Sequence, residues 1–163
     1  MSEAVAPEPS GRVAFVTGGT RCIGLATARA LAAEGHHVVV GSRSKPEELD
    51  SNLTWIQCDI TDDESVNGAF DQIEETIGPA TIVVANAGIT KDMLVLRMKE
   101  ADFAEVVDAN LTGAFRVTKR AVKPMMKSRW GRIVLMSSVV GALGQAGQAN
   151  YAASKAGLVG LGR

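Results

Sequence analysis

Residues 12–34, RVAFVTGGTRCIGLATARALAAE, decide the fold. Arg12 to Thr17 is a short apolar run that Gly18 and Gly19 stop, and Ile23 to Glu34 is rich in Ala and Leu. The pattern predicts a buried strand that turns through glycines into a helix, with Gly35 as the helix stop. Glycine lets a backbone turn tightly and approach a phosphate, and a helix start offers unpaired N–H groups and the positive end of the dipole. Seen alone, such a turn is also an ordinary strand–helix connection.

Further along, Val38 to Val40 is a β-branched run expected as a buried strand. Ser44 to Asn52 is polar, contains Pro46 and reads as a loop; Thr54 to Cys58 is another strand. Asp62 to Thr76 opens with acids, which suit a helix N-terminus, and repeats apolar residues at helical spacing until Gly78 and Pro79 end it. Thr81 to Ala85 is a strand, Ala101 to Ala109 and Thr112 to Ser128 are helices, Arg132 to Met136 is a strand, and Asn150 to Leu161 is a helix of small residues. Strands alternating with helices predict an α/β fold: a Rossmann-like, doubly wound parallel sheet with its ligand crevice at the carboxyl ends of the strands. Met1 to Ser10 is acidic, rich in Ala and Pro, and reads as a disordered tail rather than a signal peptide, which leaves 11–163 as one nucleotide-binding domain.

The composition agrees. The 163 residues are 46% hydrophobic and only 4% aromatic, so the core must be aliphatic, as suits a parallel sheet under helices. Lys plus Arg is 17 against 18 for Asp plus Glu, and a net charge of −1 gives no global attraction to nucleic acid or anionic membrane. No apolar run is long enough to span a bilayer. Cys22 and Cys58 make no CxxC or Cys/His spacing, and the adjacent His36 and His37, read as successive strand residues, point to opposite faces. The expectation is a reduced cytoplasmic protein with no metal site, no nucleic-acid partner and no membrane association.

An acid at the end of the second strand would bond the ribose hydroxyls of NAD. Ser42-Arg43 stands there instead. A guanidinium matches a phosphate in shape and charge, so Arg43, helped by Arg21, is expected to hold the 2′-phosphate of NADP. Asp59, after the third strand, either accepts from the adenine amino group or caps the following helix. Tyr151-Ala-Ala-Ser-Lys155 puts a phenol and an ammonium on one helical face. A free tyrosine keeps its proton to about pH 10, and a neighbouring ammonium stabilises the phenolate, so the pair suits a general acid acting on a carbonyl oxygen.

These residues together resemble the short-chain dehydrogenase/reductase family. Thr17 to Gly24 is similar to its TGxxxGxG cofactor motif, Ala85-Asn86-Ala87-Gly88 to its NNAG segment, and Tyr151 with Lys155 to its YxxxK. Asn110 matches the family's active-site asparagine and Ser138 its catalytic serine; the resemblance runs from about Gly11 to the last residue. It implies that NADPH delivers hydride to a ketone carbon, held by Gly18, Thr20, Arg21, Ile23, Gly24, Arg43, Asp59, Ile60, Asn86, Ala87, Gly88, Tyr151 and Lys155. Tyr151 would give the proton to the oxygen and Ser138 would orient that oxygen. Lys155 would favour the phenolate and hold the nicotinamide ribose, and Asn110 would position a water between Lys155 and solvent. Outside the family context, Ser138 is a strand-end cap and Asn110 a turn or cap.

The segments GQAGQANY (Gly144 to Tyr151), AASKAGLVG (Ala152 to Gly160) and GITKDMLVLRM (Gly88 to Met98) look like the 3-oxoacyl-[acyl-carrier-protein] reductase branch. That likeness implies reduction of a 3-oxoacyl thioester in fatty acid synthesis and docking of an acidic acyl-carrier protein. Lys127, Arg129 and Arg132 are the matching basic cluster, or a solvated helix end. Met93, Leu96 and Met98 line an acyl path or belong to the core. A homodimer or homotetramer is implied by analogy. The rivals are a reductase of free ketones, steroids or sugars, and a catalytically silent nucleotide-binding chain.

Three departures stand out. Cys22 replaces the middle glycine of the cofactor motif, where a side chain crowds the pyrophosphate or shifts the turn; at a helix N-terminus it is either a tolerated substitution or a reactive thiol. Ala85 replaces the first Asn of NNAG. Family members continue past the position of Arg163 with two further strands, a substrate lid and the loop that completes the nicotinamide pocket. The sheet is therefore expected to be truncated before its last strands, with the strand ending near Met136 as an apolar edge. Such a chain is expected to turn over weakly and to associate.

Overall fold

β1 (Val13–Thr17) is buried along its whole length, as a strand covered on both faces must be. It pairs in parallel with β2 (His37–Ser42) on one side and β4 (Ala80–Ala85) on the other. β3 (Leu53–Gln57) lies outside β2 and β5 (Arg132–Leu135) outside β4, so the order is β3-β2-β1-β4-β5. The computed structural model describes residues 11–163, and the tail expected over residues 1–10 lies outside the described residues. The chain builds outward from β1 in one direction and then from β4 in the other. The order reverses between β1 and β4, which opens a crevice at their carboxyl ends.

The two faces of the sheet have separate cores. α1 (Cys22–Ala33) covers Ala14, Val16, Val38, Val40 and Val84. α2 (Asp63–Thr76) covers the opposite face, where Phe70 meets Phe15 edge-on at 5.2 Å beside Val39 and Val83. Asp62 caps α2 by accepting from the Glu64 N–H at 3.0 Å, and Asp63 and Glu64 sit at the positive end of its dipole.

The structure differs from the sequence pattern in several places. The helices expected over Ala101–Ala109 and Thr112–Ser128 are one: α3 (Glu100–Val107) passes through a π-helical turn (Asp108–Thr112) into α4 (Gly113–Ser128) without a break. A π turn takes in one extra residue and keeps the helix going, so polar residues there need not end it. A helix the sequence did not suggest, α5 (Val139–Leu143), starts at Ser138 and ends at Gly144, whose φ is 72°. Five residues are too few to carry a helical period. His36 precedes β2 instead of lying in it, so the opposite-face reading of the two histidines does not apply. α6 (Ala149–Gly162) closes the arrangement, with Leu158 buried against Ala85 and Ala114. Among the described residues, no cluster of side chains is fit to hold a metal ion, and no helix is long and apolar enough to cross a membrane.

Candidate active site

The switch point is laced together by side chains. Thr17, the last residue of β1, accepts at its hydroxyl from the Asn86 and Ala87 N–H groups at 3.1 and 3.2 Å. Asn86 returns its amide to the Thr17 and Gly18 carbonyls at 3.0 and 3.2 Å. A Cβ on Gly24 would collide with the Gly18 carbonyl and with this amide, so the turn closes only because Gly24 has none. Gly18 has φ 64°, a left-handed conformation natural to glycine, and Cys22 has φ 47°, one that is not natural to cysteine. The first turn of α1 has no acidic residue and Arg21 provides no side-chain cap, so its N–H groups stay open towards the crevice.

A cleft of ≈ 940 Å³ follows the carboxyl ends of β1, β2 and β4. Every cofactor residue expected between Gly18 and Gly88 lines it, including Thr20, Ile23, Ile60 and Ala87. Arg43, just after β2, also lines it. Among the described residues, neither Arg21 nor Arg43 makes an ion pair. Of the two readings of Asp59, the helix cap goes to Asp62. Asp59 accepts from the Thr61 N–H at 2.9 Å and the Thr61 hydroxyl at 2.7 Å. The Thr61 backbone bond holds its carboxyl below the usual range against the opposing effect of burial, with the Thr61 hydroxyl and the charges of Arg43 and Arg116 adding to the lowering. Cys58, beside it, is buried, and burial with the Asp59 charge pushes its thiol up to about 12.

A second cleft of ≈ 460 Å³ continues from the first, sharing Arg21, Asn86, Gly88 and Ile89, and reaches Ser137, Tyr151 and Lys155. Lys155 is 5% exposed. Its ammonium donates to the Met136 carbonyl at 2.6 Å and lies 5.6 Å from the centre of the Tyr151 ring. Burial pushes the Lys155 pKa down. The other two expected catalytic side chains do not line this cleft. Ser138 is the N-cap of α5 and accepts from the Val140 N–H at 3.2 Å. Asn110 sits in the π turn, 1% exposed, and its amide is fully engaged: it accepts from the Ile89 N–H at 2.8 Å and donates to the Ile89 carbonyl and the Ser154 hydroxyl at 3.0 Å each.

Several residues that sequence reasoning passed over hold the site. Ser137 donates to the Lys155 carbonyl at 2.7 Å, and Ser154 donates to the Tyr151 carbonyl at 2.8 Å. Ser154, three residues after Tyr151 on one helix face, was open to discovery from its spacing. Asn150, buried, ties α6 to the loop after β4 through the Lys91 carbonyl at 2.9 Å, and the Met93 N–H reaches the Gly147 carbonyl at 2.8 Å. Gly141 lets α5 rest on α6, since a Cβ there would be 2.8 Å from the Ala156 nitrogen. Met93 and Leu96 are exposed instead of belonging to the core.

The basic cluster lies elsewhere. Lys127 is in the last turn of α4, Arg129 is its left-handed C-cap, and Arg132 opens β5 with its guanidinium over the Trp130 ring. Arg132 and Ser138 bracket β5, roughly 20 Å apart at the rise of an extended chain.

A sequence model described as short chain dehydrogenase matches residues 12–163. The chain belongs to that family. Over 152 residues it is 51% identical to the 3-oxoacyl-[acyl-carrier-protein] reductase MabA of Mycobacterium avium, covering 93% of this chain and 59% of that protein. It is 45% identical over 162 residues to MabA of Mycobacterium tuberculosis, covering 99% of this chain and 65% of the relative. To the 3-oxoacyl-[acyl-carrier-protein] reductase FabG of Escherichia coli it is 40% identical over 159 residues, 94% of this chain and 65% of that one. The chain thus spans 59 to 65% of the length of these curated short-chain dehydrogenase relatives.

Proposed function

We propose that this chain carries the nucleotide site and the proton-transfer residues of an NADPH-dependent oxidoreductase that reduces 3-oxoacyl-[acyl-carrier-protein] to the 3-hydroxyacyl form in fatty acid synthesis. The observation that carries the reading is the joined pair of clefts, with glycines and Arg43 in one, Arg21 where the two meet, and Tyr151 with a buried Lys155 in the other. The cradle fits a dinucleotide: the α1 N–H groups and the Gly18 turn suit a pyrophosphate, Asp59 an adenine amino group, and Arg43 with Arg21 a 2′-phosphate.

The bound nicotinamide would supply the hydride. Tyr151 gives its proton to the carbonyl oxygen, and the Lys155 ammonium stabilises the negative charge that develops on the phenol oxygen as the proton leaves. Lys155 would also hold the nicotinamide ribose. Ser138, at the start of α5, is assigned to orient the substrate oxygen, which requires its hydroxyl to donate there while still accepting from the Val140 N–H. Asn110 keeps the π turn against Ile89 and Ser154, and its place behind the cleft suits the support of a water reaching Lys155. The acidic carrier protein docks on Lys127, Arg129 and Arg132, so its acyl arm must reach along β5 to the cleft. The names of the relatives, all 3-oxoacyl-[acyl-carrier-protein] reductases, favour acyl thioesters over small ketones. A homo-oligomer in the cytoplasm is part of the same reading.

The test is a titration of NADPH into the chain, with NADH for comparison, followed by turnover of a 3-oxoacyl thioester against a small ketone. Tight NADPH binding, weak NADH binding and preference for the thioester support the reading. Binding of neither nucleotide supports the silent-chain alternative, and restoration by Cys22→Gly would trace that failure to the cysteine.

A further inference from the structure

We infer that Trp55 and Ser42 are positioning residues for Arg43 and, through it, set the preference for the 2′-phosphorylated nucleotide; this rests on the cofactor reading above. Trp55 lies on β3 and its indole N–H donates to the Ser42 hydroxyl at 2.8 Å. Ser42, the last residue of β2, donates that hydroxyl to the Ser44 carbonyl at 2.7 Å. The hydroxyl therefore spans Arg43, with one end of the relay in the neighbouring strand and the other on the residue after the arginine. The Ser42 carbonyl is held as well, by the Cys58 N–H at 3.0 Å.

The direction of the relay is fixed. An indole nitrogen only donates, so the hydroxyl must accept from it and give its single proton to Ser44. Hydrogen bonds aligned in this way polarise and strengthen one another. The partly buried Trp55 ring packs against the core that holds Val38 and Val40 under α1, which anchors the donor. Arg43 makes no ion-pair contact among the described residues and feels only the nearby charge of Asp59, so its aim depends on the backbone that carries it. A guanidinium grips a phosphate through a planar fork, and a fork is sensitive to aim in a way that a point charge is not. Ser42, Arg43 and Ser44 line the cleft and Trp55 does not, so the influence of Trp55 on a bound nucleotide passes through the turn, and Trp55→Phe reads the relay apart from any direct contact of Ser42.

The experiment measures the affinities of the chain for NADPH and NADH by calorimetry, with the variants Trp55→Phe, Ser42→Ala and Ser42→Thr. Trp55→Phe keeps an aromatic ring and removes the donor; Ser42→Thr keeps the hydroxyl. Trp55→Phe and Ser42→Ala are expected to weaken NADPH about fivefold, the loss of one well-placed hydrogen bond, and to leave NADH within about twofold, while Ser42→Thr stays near the parent. If the parent prefers NADPH and both variants keep that preference, the inference is overturned. It is also overturned if both nucleotides weaken equally, since that is the mark of a structural role. A parent chain with no preference for NADPH removes the cofactor reading itself and the inference with it, a result distinguishable from the first two before any variant is made.

Discussion

Cys22 has φ 47° at the first residue of α1, in the turn that faces the nucleotide cleft. A left-handed conformation costs an L-residue about 1–2 kcal/mol, and glycine there gives back roughly 0.5–1 kcal/mol through its greater freedom in the unfolded chain. Cys22→Gly is therefore expected to stabilise the chain by about 0.5–1 kcal/mol and raise Tm by about 1–4 °C. Calorimetric melts of the two chains decide it, and an unchanged or lower Tm refutes the strain. The two thiols also differ in accessibility: Cys22 is exposed, whereas Cys58 is buried and pushed up to about 12. A brief pulse of iodoacetamide at neutral pH is expected to label Cys22 and spare Cys58, and peptide mapping that finds Cys58 labelled first contradicts this. Lys155 makes a prediction in pH. Burial lowers its folded pKa, so between that value and the ordinary lysine value the unfolded chain binds more protons, and stability rises with pH through this window. Below it both states are protonated and the penalty is constant. Lys155→Met removes the titration, so its Tm relative to the parent is expected to be highest at neutral pH and to fall as the pH approaches 10. Parallel curves for the two chains would show that the ammonium carries no such penalty.

The long helix from Glu100 to Ser128 borders the larger cleft with Asp108 and Ala109 of its π turn, and the side chain that pins this turn is Asn110. Asn110→Ala leaves the part-buried Ile89 N–H and carbonyl without their partner and removes a donor from the buried Ser154. Orphaned groups cost about 1–3 kcal/mol each when buried and less where water from the cleft replaces the partner, so a loss of roughly 1–3 kcal/mol in urea unfolding is expected. Asn110→Ala within 1 kcal/mol of the parent would mean that the turn is held by packing instead. How legible this element was follows from the same geometry. The turn around Gly18 and the pair Tyr151 and Lys155 could be read directly, because phosphate approach and one-face spacing demand particular residue types at fixed separations. The strands could be read because a sheet covered on both faces selects unbroken apolar runs. The merging of two expected helices was not legible, because nothing local in Asp108–Thr112 distinguishes a wide turn from a break. Nor were the roles of Ser137 and Gly141, which arise only when α5 comes down on α6. Trp55 looked like an ordinary strand aromatic, and its partner Ser42 is thirteen residues away in sequence.

At the scale of the whole molecule the sheet has two unlike edges. β3 exposes two polar side chains, Thr54 and Gln57, while Leu53 and Ile56 are buried and Trp55 is partly covered by the core under α1. β5 has Ile133, Val134 and Leu135 after a single charge, Arg132, and Val134 is 46% exposed. Among the described residues it bonds to β4 on one side only, which leaves a row of outer N–H and carbonyl groups to pair. Exposed Val159 and Leu143 on α6 and α5 add apolar surface to the chain. An exposed apolar edge with no central charge is the arrangement that natural sheets interrupt with lysine. The 163-residue chain is therefore expected to associate as its concentration rises, and Val134→Lys, which places a charge in the middle of the edge and leaves the β4 pairing intact, is expected to lower that tendency severalfold. Sedimentation velocity over a dilution series of both chains reads it directly. Association that Val134→Lys does not weaken places the contact on another surface, and a parent that stays monomeric throughout shows that this edge is protected.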